Sequence, residues 1–177
     1  MSLDDCIGHL CLRCGICCNG ILFGDVRIPD PAEARQLEAA RLPLRGKTQG
    51  RSVCACLPQP CPALGKGNLC AVYRDRPTRC RQFECALLKQ AVAGAIALPQ
   101  AVRVIRETLA RAQRVSALLE ALGNHRSDRS LARRFRALQR ALPRRALTED
   151  SASLFADLTL QVHDLNLSLR RHFYPGD

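Results

Sequence analysis

Cys11-Leu12-Arg13-Cys14-Gly15-Ile16-Cys17-Cys18 is the stretch on which the reading of this chain turns. Its two C-x-x-C steps bring thiolates close enough to share a metal, and Gly15 permits the tight backbone turn that this needs. Three cysteines at this spacing are also how bacterial ferredoxins present ligands to a 4Fe–4S cluster, with a remote Cys-Pro supplying another. Cys61-Pro62 is a remote Cys-Pro of that kind. The spacing therefore points to metal and leaves zinc and iron–sulfur both open.

Working outward, a second group follows at Cys61, Cys70, Cys80 and Cys85. Pro77 is placed to open a helix through Cys80, Phe83, Leu87 and Leu88. On a continuous helix, Cys80 and Cys85 would point about 140° apart. They can share one metal only if the helix starts after Cys80 or breaks between the two; otherwise they serve different sites. Adjacent Cys17 and Cys18 raise the same question. Eight cysteines thus fit either two four-cysteine sites or one cluster with several structural thiols. Cys6, Cys54 and Cys56 lie outside the pattern and read as free thiols or accessory ligands.

All eleven cysteines fall between Cys6 and Cys85 in a chain of 177 residues. The start, Met1-Ser2-Leu3-Asp4-Asp5, is acidic where a secretory signal would be basic, and Ala91 to Leu98 is too short to span a bilayer. The expectation is a soluble cytoplasmic protein. In a reducing compartment clustered cysteines argue for metal rather than disulfides, and an odd number suits a complete disulfide set poorly.

The net charge is +11, and 24 of the 27 basic residues are Arg. With many Ala and Leu, that bias is what a GC-rich genome produces. Residues 99 to 147 nevertheless hold 12 Arg against 3 acids. Such a patch could meet nucleic acid or an acidic partner protein, although ordinary solvated helix surface is the simpler reading.

The expected fold is mainly α: an irregular cysteine-rich metal-binding half, residues 1–90, packed against a cysteine-free segment of about three helices, residues 91–177. Aromatics at 4% and no Trp favour helices packed through Leu, Ala, Val and Ile. In the first half, Asp30, Pro31 and Glu33 read as a cap, a first helical position and the closing member of a capping box, opening a helix to about Leu42. Val26-Arg27-Ile28 reads as a short extended piece. Pro43 to Asn68, rich in Pro and Gly, reads as loops. In the second half three stripes at helical spacing stand out. They are Val102, Ile105, Leu109, Ala112, Ser116 and Leu119; then Leu131, Phe135, Leu138 and Leu142, ended by Pro143; then Leu154, Leu158, Val162, Leu165 and Leu169, following Thr148-Glu149-Asp150.

Taken in order, Cys11-x-x-Cys14-x-x-Cys17-Cys18, Cys61-Pro62-Ala63-Leu64, Cys70-Ala71-Val72-Tyr73 and Arg76-Pro77-Thr78-Arg79-Cys80-Arg81-Gln82-Phe83-Glu84-Cys85 resemble the YkgJ-type CxxCxxCC cysteine-cluster family. That family is described as a zinc- or iron-chelating domain with eight characteristic cysteines. The resemblance covers about residues 11 to 88. It implies metal or cluster binding through Cys11, Cys14, Cys17, Cys18, Cys61, Cys70, Cys80 and Cys85. Ala63 departs from it, standing where a Phe is common. The family includes flagellin lysine methylases that carry the motif with an iron–sulfur cluster, which opens redox or methyl-transfer chemistry.

Arg76, Arg79 and Arg81 lie beside these thiolates in sequence and could offset their charge. Tyr73 and Phe83 are expected to pack a small core around the site, and Asn19-Gly20 to turn the chain away from it. Catalytic constellations are otherwise missing. There is no glycine-rich phosphate loop, and His9, His125, His163 and His172 are dispersed. The sequence therefore points to a protein that chelates iron as a 4Fe–4S cluster, or Zn2+. The alternatives are an iron–sulfur enzyme and a metal-stapled interaction module.

Overall fold

The structure is a computed structural model that describes residues 6–49, 52–141 and 148–175. It is mainly helical, with one small sheet. A π-helical turn, Ile7–Cys11, runs into a single α-turn, α1 (Leu12–Cys14). There follow β1 (Asp25–Ile28), α2 (Pro31–Ala39), β2 (Arg45–Gln49) and β3 (Ser52–Pro58). Next come α3 (Thr78–Gln82) and α4 (Ala86–Val92). Three longer helices close the chain: α5 (Leu98–Ala121), α6 (Leu131–Ala141) and α7 (Glu149–His172).

The sheet corrects the expectation of loops between Pro43 and Asn68. β3 is its centre, antiparallel to β1 on one side and to β2 on the other. The alternation Val53, Ala55, Leu57 carries the strand signal, and the surrounding Pro and Gly mask it. Ile28 and Leu57 are buried with Leu37 of α2, Leu42 and Ala63 in a small apolar cluster. Burial against α2 is what makes three short strands stable, since each side chain so buried contributes about 1.5–3 kcal/mol.

Asp30 caps α2 as expected, its Oδ1 accepting from the Ala32 amide at 2.8 Å. Glu33 does not close a capping box. Its carboxylate accepts instead from the Thr78 amide (2.6 Å) and the Thr78 hydroxyl (2.8 Å). It thereby caps α3, 45 residues away, where Pro77 stands at the cap position and has no donor or acceptor side chain to offer. The helix ends at Ala39, short of Leu42, because Arg41 turns left-handed at φ 60°.

The long helices bury a stripe close to the expected one. On α5 the buried residues are Ala101, Ile105, Thr108, Ala112, Val115 and Leu119. Ile105, Ala112 and Leu119 match the expectation, Val102 and Leu109 pack partly buried against the same core, and the neighbours Ala101, Thr108 and Val115 are buried more deeply than Val102, Leu109 and Ser116. Thr108 is tolerated in the core because its hydroxyl donates to the Val104 carbonyl at 2.9 Å and pairs with the Ser168 hydroxyl of α7 at 2.9 Å. Thr148 caps α7 by accepting from the Ser151 amide. Leu158, Leu165 and Leu169 are buried, and Phe135 of α6 stacks on Phe155 of α7 at 6.2 Å. Leu142 and Pro143 lie outside the described residues, as do Met1 to Asp5. The larger apolar cluster joins these helices to Cys6, Leu10, Ile16 and Leu22.

A buried charge also went unforeseen. Arg134 of α6 is 3% exposed. Its guanidinium donates to Ser116 Oγ and to the Asn124 carbonyl, both at 2.8 Å, and reaches Glu120 at 3.5 Å. It ties α6 to the end of α5 rather than adding to a basic surface.

Candidate metal centre

The cysteine stretch is shaped by backbone hydrogen bonds. Gly15 ends α1 in the left-handed region at φ 62°. The Cys18 and Asn19 amides both donate to its carbonyl, at 2.8 and 2.9 Å. This reversal turns Cys17 and Cys18 back over α1. A Cβ on Gly15 would sit 2.8 Å from Asn68 Cγ and closer still to its Oδ1. Asn68 occupies that space because its amide donates to the Leu12 carbonyl at 3.0 Å. Asn19 Oδ1 then accepts from the Ile21 amide, and Gly20 turns at φ 81°, so the exit from the stretch is as expected.

The remote cysteines are brought in by pairing of the main chain. The Cys61 amide donates to the Cys18 carbonyl at 2.7 Å, which seats Cys61 directly on the first stretch. Leu64 and Cys70 form an antiparallel bridge, and the Ala71 amide donates to the Ala63 carbonyl at 2.8 Å. Cys70 is thereby folded back beside Cys61. Ala63 is buried at this return.

Cys80 and Cys85 meet the condition set by the sequence, because the helix breaks between them. Phe83 is extended (φ −79°, ψ 117°), and its ring packs edge-on against Phe23 at 5.0 Å. Cys85 restarts the helix as the cap of α4, its sulfur accepting from the Leu88 amide at 3.4 Å.

Charge coupling between the thiols sorts them. Burial pushes the Cys80 thiol up to about 12, and repulsion from Cys18, Cys61 and Cys70 adds to it. Burial pushes Cys11 up to about 11 and Cys14 up to about 12, with repulsion from Cys85 and Cys18 added in both cases. Cys61 is raised by burial, then by Cys18 and Cys70. Cys18 is raised chiefly by its hydrogen bond with Cys17, whose sulfur is 3.6 Å away, and then by burial. Cys85 is raised by burial, against three backbone N–H groups that favour its thiolate. Cys18 thus feels thiols of two neighbourhoods besides adjacent Cys17: Cys11 and Cys14, which Cys85 also faces, and Cys61 and Cys80, which Cys70 also faces.

Among the described residues, no three His, Cys, Asp or Glu side chains already close on one ion. The donor set nevertheless fits a cation. Half-buried sulfurs whose charged forms are disfavoured by burial and by one another lack only compensating positive charge. Arg76 supplies some of it, drawing Cys11, Cys18 and Cys80 toward the thiolate. It is held by donating to the Tyr73 carbonyl at 3.0 Å and by lying 3.8 Å over the Tyr73 ring. Tyr73 is therefore not a core residue but an exposed platform for Arg76. Arg81 is turned toward Thr78 and Glu33, and Arg79 is exposed.

Residues 10–108 match the family described as "CxxCxxCC: Putative zinc- or iron-chelating domain". The chain belongs to the CxxCxxCC family. The CxxCxxCC match takes in the eight cysteines of the pattern, and Cys54 and Cys56 with them, and runs past Leu88 to Thr108 in α5, further than the cysteine motifs alone reach. No curated protein and no solved structure matches the chain. Among the described residues no helix is long and apolar enough to cross a membrane.

Nothing local in the sequence marks Asn68 or Glu33 as supports of the cysteine region. Asn68 acts on Leu12 from 56 positions away, and Glu33 on Thr78 from 45. No local pattern announces such pairings. Several arginines of the basic stretch are also spoken for: Arg111 pairs with Asp164, Arg126 with Asp128, and Arg133 with Asp25.

Proposed function

We propose that this protein chelates metal through Cys11, Cys14, Cys17, Cys18, Cys61, Cys70, Cys80 and Cys85, in two neighbouring four-thiolate groups. Cys11, Cys14, Cys17 and Cys85 make one group, and Cys18, Cys61, Cys70 and Cys80 the other. The observation that carries this is the position of Cys18, coupled by charge to thiols of both groups and bonded through its carbonyl to Cys61. Four thiolates satisfy either a tetrahedral zinc ion or a 4Fe–4S cluster. The three-cysteine run Cys11, Cys14 and Cys17 favours the cluster in the first group.

Bound metal would supply the positive charge that lets buried thiols ionise, and so would staple the loops that carry them. The chain's own residues orient the thiols: Gly15 turns Cys17 and Cys18 back, Leu88 directs Cys85, and Arg76 offsets charge at the junction of the groups. A cytoplasmic location fits eleven cysteines that form no disulfide, a state that a reducing compartment preserves. The test is iron, zinc and acid-labile sulfide in protein purified without air. Iron with matching sulfide supports the cluster, and zinc without sulfide supports structural zinc. Protein free of all three, with all eight thiols open to alkylation, overturns the proposal.

A further inference from the structure

Cys54 and Cys56 stand apart from the eight. Both lie on β3, two residues apart, so they share one face of the sheet. Ala55 and Leu57 point the other way, into the small apolar cluster with Ile28. The two sulfurs are 3.8 Å apart. Cys54 is half-buried, whereas Cys56 is 3% exposed. Cys56 is the register partner of Arg27 on β1 and of Arg45 on β2, so both arginines share its face, and both are exposed. A reachable thiol, a buried thiol beside it and two flanking cations occur together at this place.

We propose that Cys54 and Cys56 form a redox-active dithiol, oxidised to an intrastrand disulfide by a small anionic disulfide such as oxidised glutathione. Cys54, the accessible member, attacks as thiolate. One sulfur of the small disulfide bonds to Cys54 Sγ, the small S–S bond breaks, and the first small thiol leaves with the proton that Cys54 gave up. Cys56 then attacks Cys54 Sγ. The Cys54–Cys56 bond forms, the mixed disulfide breaks, and the second small thiol leaves with the proton from Cys56. The protein loses two electrons and two protons, and the small disulfide gains both. Arg27 and Arg45 draw in the carboxylates of the oxidant.

The geometry makes the product reversible. Residues two apart on a strand have Cα atoms about 6.6 Å apart, near the upper limit of roughly 6.8 Å for a disulfide. Bonding must also bring the sulfurs from 3.8 Å to about 2.05 Å. A bond formed under such strain is readily reduced.

The experiment poises the metal-loaded protein, without air, at graded ratios of oxidised to reduced glutathione. Remaining thiols are alkylated in acid, and the tryptic peptide Ser52–Lys66 is sequenced by mass spectrometry to separate Cys54 and Cys56 from Cys61. Cys54 and Cys56 are expected to lose alkylation together, and to regain it in reduced glutathione, with metal content unchanged. Cys56→Ser should hold glutathione on Cys54, and Cys54→Ser should leave Cys56 unmodified. With Arg27→Gln and Arg45→Gln combined, oxidation by glutathione should slow about threefold or more at low salt. Oxidation by a neutral disulfide should be unaffected. Full alkylation of both thiols at every ratio overturns the proposal, as does a disulfide to Cys61 or metal loss in step with oxidation. Because the wild-type protein alone decides this, a variant that fails to fold does not. A protein that lacked metal yet formed the disulfide would separate this inference from the proposed function.

Discussion

Gly15→Ala should cost about 2–3 kcal/mol of stability, and the structure divides that cost into two parts. The first is backbone: at φ 62° an L side chain is disfavoured by about 1–2 kcal/mol. The second is steric. The new Cβ would stand 2.8 Å from Asn68 Cγ, so the Asn68 side chain must swing away. It then loses its 3.0 Å bond to the Leu12 carbonyl, worth about 1 kcal/mol. This division is testable by a double-mutant cycle with Asn68→Gly, which keeps the left-handed backbone at φ 59° free of strain. Asn68→Gly in the wild-type background gives up the hydrogen bond. In the Gly15→Ala background that bond is already gone, so the second substitution should cost about 1 kcal/mol less. The assay is reversible guanidinium unfolding at buffered free metal with thiols kept reduced. Additive costs, with coupling under about 0.3 kcal/mol, would refute the steric reasoning and leave only the backbone argument.

Four further outcomes follow from the same geometry. Glu33→Gln weakens the cap on α3 and should destabilise by about 1–2 kcal/mol, read from the same unfolding curves; no change would mean that Thr78 finds another acceptor. Arg134→Ala removes two 2.8 Å charged hydrogen bonds from a buried position. It should cost about 3 kcal/mol in thermal unfolding without altering metal content. Arg76→Gln takes away a cation that favours the thiolates of Cys11, Cys18 and Cys80, and should weaken metal binding about tenfold in a chelator competition, with Arg76→Lys retaining much of it. Thiol titration gives the pH dependence. Cys11, Cys14 and Cys80 titrate at about 11, 12 and 12 in the metal-free fold, above the ordinary 9.0. The fold therefore favours the protonated thiols. The stability they contribute is complete below 9.0 and is lost as pH rises through 11 to 12. Metal binding must displace these protons, so loading at pH 7.5 should release about one proton per thiol bound, measured with an indicator in weak buffer. Absence of release would mean that the thiols are already ionised.

What was readable in advance was what depends on near neighbours. Gly15 as a turn, Asp30 and Thr148 as caps, and the stripe residues Ile105, Leu119, Leu158 and Leu169 follow from spacing and side-chain chemistry alone. The misreadings have a common cause. Thr108 falls outside the expected stripe, yet it is buried more deeply than Leu109, because a hydroxyl on α7 satisfies it. Tyr73 looked like a core aromatic, yet it carries Arg76. Glu33 looked like half of a local capping box, yet it caps another helix. In each case what decides is the tertiary surroundings: a partner 60 or 45 positions away for Thr108 and Glu33, and exposure to solvent for Tyr73, whose partner Arg76 is close in sequence.

By itself, then, the sequence determined that the chain carries the cysteine pattern of the CxxCxxCC family between Cys11 and Cys85 and that amphipathic helices follow it. Residue type and short-range periodicity suffice for both. Only the tertiary structure decided that the helix breaks at Phe83, that Cys61 is bonded to Cys18, and that Arg76 alone of its neighbours turns toward the thiols. It also decided that Arg134 is core and that Cys54 and Cys56 face away from the apolar side of a sheet. The physical reason is that burial and charge are properties of surroundings. Thiols that are alike in sequence differ here because packing fixes which of them face one another, which face an arginine and which are shielded from water.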